Sequence, residues 1–299
     1  MSGFCYIVIS VDIIPQLIVN SVIAGAIYAM VALGFNLIYG TTKFFDLGYG
    51  AIAAIGGYTV FYFYKGLGLD LYVSVLLGIL ITGAIGTLIY RLVYAPLKAR
   101  KSSGMVLLIA ALGVMTVLQS IVAILFTSQF QTLSRSNGSE TVYNIFGGVI
   151  TQTQLIILVI GIIIMVAISL IFRYTLFGKA IKAVGDDEEV SKIVGINTNK
   201  IISWVFFIGS AIAGLAGILV GFDTGIEPTM GLSLLLKGVI ASIIGGIGNV
   251  YGGVIGAFLL GFIENFGIWK ISGEWKDAIA FAVLIIFLLF RPHGILGKK

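Results

Sequence analysis

Nine stretches of this chain are apolar and long enough to compete for a bilayer, and short polar connections separate them: residues 14–38, 46–64, 71–92, 104–126, 153–173, 199–222, 232–247, 250–268 and 276–291. A helix needs about 20 predominantly apolar residues to cross the hydrocarbon core, and most of these runs reach that length. A soluble fold would have to hide them all in one core. With 59% hydrophobic residues against 18 Lys plus Arg and 13 Asp plus Glu in 299 positions, there is too little polar surface to cover such a core. The pattern predicts an all-α polytopic membrane protein with about 8–9 transmembrane helices, organised as one transmembrane domain over residues 1–299. The four prolines respect the segmentation: Pro15 is placed at the first turn of the first run, and Pro96, Pro228 and Pro292 in connections.

Charge supplies direction. Lys43, the group Arg91, Lys98, Arg100 and Lys101, the five basic residues from Arg173 to Lys200, and Arg291, Lys298 and Lys299 fall on one side. Only Lys65, Arg135, Lys270 and Lys276 fall on the other, while Lys237 lies within an apolar run. Lys and Arg concentrate in cytoplasmic loops, so thirteen against four places the C-terminus inside and, with nine spans, the N-terminus outside. The net charge of +5 is orientation information and not a nucleic-acid signal. Cys5 and His293 are the sole residues of their kinds. An intrachain disulfide and a Cys/His metal cluster are therefore excluded, and Cys5 reads as an incidental apolar residue.

Residues 245–249, Gly-Gly-Ile-Gly-Asn, interrupt an apolar stretch. Unwound backbone at membrane depth is tolerated only inside protein or along a watery cavity. Residues 232–268 therefore predict a broken-helix hairpin, with Lys237 and Glu264 near the outer ends of its arms, where they could pair or snorkel. Stripes of small residues, Gly209, Ala213, Gly217 and Gly221, then Gly252/Gly256 and Gly253/Ala257/Gly261, predict close helix contact within the chain.

The longest loop on the basic side, residues 174–199, gathers four consecutive acids, Asp186, Asp187, Glu188 and Glu189. Helical periodicity continues from the fifth run to Gly185, where a break is expected. Asp186 suits an N-cap, with Glu189 completing a capping box. Gly195 suits a left-handed C-cap, and Asn197 or Thr198 can cap the next span. The result is a two-turn helix, residues 187–194, with a small apolar face of Val190, Ile193 and Val194. By pattern alone it is either a solvated loop or a docking knuckle at the membrane surface.

Residues 185–201 resemble the "EAA" loop of ABC-importer permeases. Glu188 stands at that loop's glutamate position, seven before Gly195, while Glu189 and Val190 replace its two small residues. YAPLKAR (94–100), GGIGNVYGGVIGAFLLGFIE (245–264) and FRPHGILG (290–297) are similar to stretches of the branched-chain amino acid permeases, in the same order. The second match runs through Gly245, Gly246, Gly248, Asn249, Gly252, Gly256, Gly261 and Glu264. Entering the second span the family pattern Asn-Phe-Ala-His-Gly is replaced by Asp46, Leu47, Gly48, Tyr49 and Gly50, so no histidine role carries over. Asp46 is either an N-cap or a point on the substrate route.

The resemblance implies that residues 186–195 grip cytoplasmic ATP-binding subunits and that a second permease subunit completes the path. It further implies an external binding protein delivering leucine, isoleucine or valine, although relatives moving urea or short amides would look alike. The chain has no G-x-x-x-x-G-K-[ST] run to cradle phosphate, so ATP and magnesium are expected on a partner, with no cofactor on this chain. An ion-coupled carrier is the alternative, but its acids are expected mid-membrane, and Asp46, Glu264, Asp223 and Glu227 fall at segment ends. Without HExxH, GxSxG or a histidine base, intramembrane catalysis is disfavoured.

Overall fold

The computed structural model describes residues 2–133, 141–145, 147–269 and 272–297, with backbone alone for residues 2–12 and 145. Arg135, Lys270, Lys298 and Lys299, and the side chain of Cys5, lie outside the described residues. The chain is helical, in the order α1 Ser2–Thr42, α2 Gly48–Val60, α3 Leu71–Ile89, α4 Ala95–Ala99, α5 Gly104–Phe126, α6 Gln152–Tyr174, α7 Leu176–Asp186, α8 Glu188–Ile193, α9 Thr198–Asp223, α10 Met230–Gly245, α11 Val250–Gly267 and α12 Lys276–Phe290. Wider π-type turns extend α2 to Gly66 and join α3 to α4 through residues 90–94. An antiparallel hairpin, β1 Val142–Ile145 and β2 Gly148–Thr151, stands before α6, between the fourth and fifth apolar runs.

Six helices among the described residues are long and apolar enough to cross a membrane, and α10 is a shorter apolar helix. All nine predicted runs are helical. The first begins earlier than expected, so Pro15 lies inside α1 and not at its first turn, and the carbonyl four residues back loses its helical donor. Pro96 lies not in a connection but inside the continuous helix Leu71–Ala99, directly after the wider turns of residues 90–94, and its missing N–H removes a donor there.

α1 and α9 form the centre, their spanning windows 72% and 67% buried, while α5 and α6 at the periphery are 17% buried. A helix that keeps leucine, isoleucine and valine exposed all along one side is one that lipid solvates. Small residues bring the central helices together. A Cβ at Gly217 would overlap the Ala53 carbonyl, and one at Gly209 would press on Ile38 of α1 at 2.9 Å. The small-residue stripes are consumed by intrachain packing, as predicted.

The helices alternate in direction, so the molecule has two ends. At one, the end of α1 meets α7 and the α10–α11 turn, since Gly40 lies against both Gly185 and Gly248. At the other, Gln131 pairs with Ile226, Lys65 reaches the Thr132 carbonyl at 2.6 Å, and Gln16 bonds Val149 of β2. Lys98, Lys192 and Arg291 belong to the first end and Lys65 and Lys276 to the second, the partition that the loop charges predict.

Candidate functional site

The charged loop folds as a two-helix knuckle. Thr175 ends α6 by donating to the Ile171 carbonyl at 2.6 Å and caps α7 by accepting from Gly178 N at 3.0 Å. The expected break at Gly185 is absent: α7 continues through it to Asp186, because a bare Gly185 lets α7 lie on the Gly40 carbonyl. The cap of α8 is consequently Asp187, not Asp186, and its carboxylate accepts from Glu189 N at 2.8 Å and Val190 N at 3.0 Å. Glu189 forms no capping box. Gly195 adopts φ +88°, and Ile196 N reaches the Ser191 carbonyl at 3.0 Å, closing α8 with the predicted left-handed cap. Asn197 caps α9 through Lys200 N at 3.1 Å.

Glu188 is the node of this knuckle. One oxygen meets Lys98 Nζ at 2.6 Å and the other meets Lys192 Nζ at 2.9 Å, with Thr198 Oγ1 at 3.5 Å. Partial burial alone would raise the pKa, but hydrogen bonds and charge from Lys98 and Lys192 win and hold the carboxyl below its ordinary range. The node joins α8 to α4, hence to the third span, and not only to its chain neighbours. The basic turn and the acidic loop are thus one structure. The predicted apolar face is turned outward: Val190, Ile193 and Val194 are 54%, 83% and 68% exposed.

Asp46 is buried beneath the start of α2, accepting Tyr94 Oη at 2.6 Å and the backbone N–H groups of Gly48 and Tyr49. Tyr94 and Phe44 pack around it with ring centroids 4.9 Å apart. Gly50 marks the crossing of α2 and α10, where it lies against Gly231.

The broken hairpin is present. Gly245 abuts Gly252 and Gly256 abuts the Ala241 carbonyl, an antiparallel register of α10 and α11 that no side chain would fit between. Between them Gly246 takes φ +112° and Gly248 φ +81°. Asn249 caps α11 by accepting from Tyr251 N and Gly252 N, and Asn36 of α1 accepts from Gly248 N at 2.9 Å. The C-terminal tail completes the break: Ile295 N and Leu296 N donate to the Ile244 and Gly245 carbonyls at 2.9 Å, and Asn249 Nδ2 donates to the Leu296 carbonyl. Two motifs whose bonded residues Asn249 and Leu296 stand 47 positions apart in the sequence serve one purpose, satisfying backbone groups of an interrupted helix.

A second ionic cluster stands toward the opposite end. Glu264 is fully buried, accepts Tyr28 Oη at 2.7 Å and lies 3.9 Å from both Lys237 and Lys276, while Lys237 meets Asp277 at 3.1 Å. Glu264 Oε1 has no hydrogen-bond partner, a condition that costs about 1–3 kcal/mol for a buried acceptor. The predicted Lys237–Glu264 pairing is present, but Lys237 stands halfway along α10 and not at its outer end, because α10 starts only at Met230. Beside the cluster a cavity of about 490 Å³ is bounded by Tyr28, Asp223, Glu227, Leu234, Lys237 and Lys276. Sequence reading offers Lys237 with Glu264 and the acids of the 223–227 turn, but not Lys276 of α12 or Tyr28 of α1 beside them. Among the described residues, no three His, Cys, Asp or Glu side chains are grouped to hold a metal ion.

Known proteins place this architecture. The family model described as "Branched-chain amino acid transport system / permease component" matches residues 17–288. The chain is 33% identical to the high-affinity branched-chain amino acid transport system permease protein BraD of Pseudomonas aeruginosa, over 95% of each chain. It is 34% identical to the corresponding protein LivH of Escherichia coli K12, also over 95% of each. The ribose import permease protein RbsC of Haemophilus influenzae is 28% identical, over 96% of this chain and 86% of that one. Among solved structures, PsaBC from Streptococcus pneumoniae in complex with Fab shares the fold with a TM-score of 0.51, at 14% identity, over 92% of this chain and 91% of that one. A helical bundle whose apolar spans, glycine crossings and clamped acidic knuckle agree with a family match along nearly its whole length is a multi-pass membrane protein, and the chain belongs to the permease-component family of branched-chain amino acid transport systems.

Proposed function

We propose that this chain is the membrane-spanning subunit of an ATP-driven importer for leucine, isoleucine or valine. It takes its motion from ATP-binding subunits, which hold ATP and magnesium and dock on α8. The observation that carries this reading is the exposed apolar face of α8, Val190, Ile193 and Val194, on a helix that Asp187, Glu188 and Gly195 lock in place. Exposed apolar residues on a rigid, charge-rimmed element at a bundle's end favour a protein partner over solvent. Lys98 extends the push to α3 and α4, so rigid-body motion would reach the third span as well as the fifth and sixth.

The excess of Lys and Arg at the α8 end supports placing it in the cytoplasm, with the C-terminus there and the N-terminus outside. The β1–β2 hairpin and the 223–229 turn then face an external binding protein. The lipid-exposed sides of α5 and α6 leave room for a second permease subunit, a copy or a homologue.

Proteoliposomes holding the chain with its ATP-binding subunits and binding protein test the reading. L-Leucine uptake is expected only with ATP on the α8 side, and it persists under a protonophore. The lone chain accumulates nothing. Accumulation by the lone chain driven by a proton or sodium gradient would overturn ATP coupling, and ATP-driven uptake of D-ribose in place of leucine would overturn the substrate.

A further inference from the structure

The cavity at the end opposite α8 carries charges of both signs that the docking role does not use. We infer that it is a recognition site for the ammonium and carboxylate groups of an α-amino acid, and this inference rests on the proposed reading that the chain passes amino acids. A volume of about 490 Å³ falls within the range of small-molecule sites.

Its lining carries both signs: Asp223 and the exposed Glu227 bring acids, and Lys237 and Lys276, 17% and 32% exposed, bring lysines. Ile23 and Leu234 add an apolar wall suited to a branched aliphatic side chain. The lysines keep capacity for a ligand. An ammonium offers three donors, and the carboxylate that Lys237 meets at hydrogen-bond length is Asp277, itself 63% exposed and able to yield to another carboxylate. Both lysines stand 3.9 Å from Glu264, beyond hydrogen-bond length.

The selectivity follows from what desolvation leaves unmatched. A sugar or an amide brings no charge to this lining, a fatty acid offers nothing to Glu227 and an alkylamine offers nothing to the lysines. A zwitterion meets both signs and enters with no net charge. The ligand's carboxylate would meet Lys276 and Lys237 and its ammonium Glu227, since Asp223 already accepts from Gln154 Nε2 at 3.2 Å.

The test is equilibrium binding of radiolabelled L-leucine to the full-length chain in lipid nanodiscs, with 4-methylpentanoate and isoamylamine as competitors lacking one charge each. Leucine is expected to bind at least ~10-fold more tightly than either, a difference of about 1.4 kcal/mol. Lys276→Met is expected to erase the preference over isoamylamine and Glu227→Gln the preference over 4-methylpentanoate, while Lys276→Arg retains both and thermal unfolding shows all three variants folded. Equal binding of the three compounds, leucine binding indifferent to both charge-removing variants, or a response to sodium ion alone would overturn the site. ATP-driven leucine uptake by the assembled transporter alongside such a failure would overturn this inference and leave the importer reading standing. Ribose uptake in place of leucine would overturn the reading beneath it.

Discussion

The two ends of this bundle each hold an acid between two lysines, and the surroundings give the two arrangements opposite uses. At the α8 end, Glu188 bridges Lys98 and Lys192 at 2.6 and 2.9 Å while its side chain is 26% exposed. At the other end, Glu264 is wholly enclosed, with Tyr28 at 2.7 Å and its lysines at 3.9 Å. Water screens the first network, so it adds modestly to stability, and its value is to fix the direction in which α8 presents an apolar face. The second is desolvated and loosely paired, so the bundle depends on keeping its charges balanced. One arrangement aims a surface outward; the other charges a cavity.

The sharpest way to break that comparison is to delete each acid. Glu264→Ala leaves Lys237 and Lys276 without their buried counter-charge and is expected to cost about 3–5 kcal/mol, read as a large fall in thermal stability in nanodiscs. Adding Lys237→Met is expected to recover part of it. Glu188→Ala is expected to cost no more than about 1 kcal/mol. It should nonetheless reduce ATP-driven uptake roughly tenfold or more, with membrane levels unchanged, if about 1.4 kcal/mol of docking is lost. Gly195→Val should behave likewise, since a β-branched residue at φ +88° costs about 1–2 kcal/mol and re-aims the end of α8. Equal stability loss from Glu264→Ala and Glu188→Ala would erase the distinction between the ends.

Smaller effects sharpen it. Ile193→Ser, at a position 83% exposed, is expected to change stability by less than about 0.5 kcal/mol, yet to lower ATP-driven uptake several-fold in the reconstituted transporter. Lys98→Ala should reduce uptake more than Lys192→Ala. Lys192 forms a within-helix pair worth about 0.3–0.5 kcal/mol, whereas Lys98 ties α8 to a segment 90 residues away.

The smallest effect is with pH. A carboxyl held below its ordinary value contributes stability that is complete above the unfolded value, about 4.3 for glutamate, and is lost as pH falls through the lower folded value. The hydrogen-exchange protection of residues 188–193, taken relative to the intrinsic rate at each pH, is therefore expected to be flat from about pH 8 to about pH 5 and to fall only in stronger acid. A loss of protection near neutrality would mean that Lys98 and Lys192 do not hold Glu188 as charged partners.

Much of the α8 end was legible in the sequence because its determinants are neighbours. A run of acids, a glycine after the last turn and an asparagine ahead of the next span specify caps within a few residues. The one-residue error, Asp187 in place of Asp186, arose because Gly185 was read as a break when it is a contact: α7 keeps its helix and rests on α1 at Gly40. The strands β1 and β2 escaped notice since only four residues on each side pair. Asp46 is open between two roles by type alone, and its buried bond to Tyr94, 48 residues away, could not be read from spacing.

By itself the sequence determined that the chain enters a membrane as helices, which ends differ in charge, where the hairpin breaks and where the knuckle is capped. Each of these depends on hydrocarbon thickness or on hydrogen bonds between residues a few positions apart. Only the tertiary structure decided which distant groups meet: Lys98 with Glu188, the tail with the carbonyls of Ile244 and Gly245, and Tyr28, Lys237 and Lys276 around Glu264. Pairing of that kind acts over a few ångströms in space, and no local rule of spacing along the chain fixes which remote side chains packing will bring within that reach.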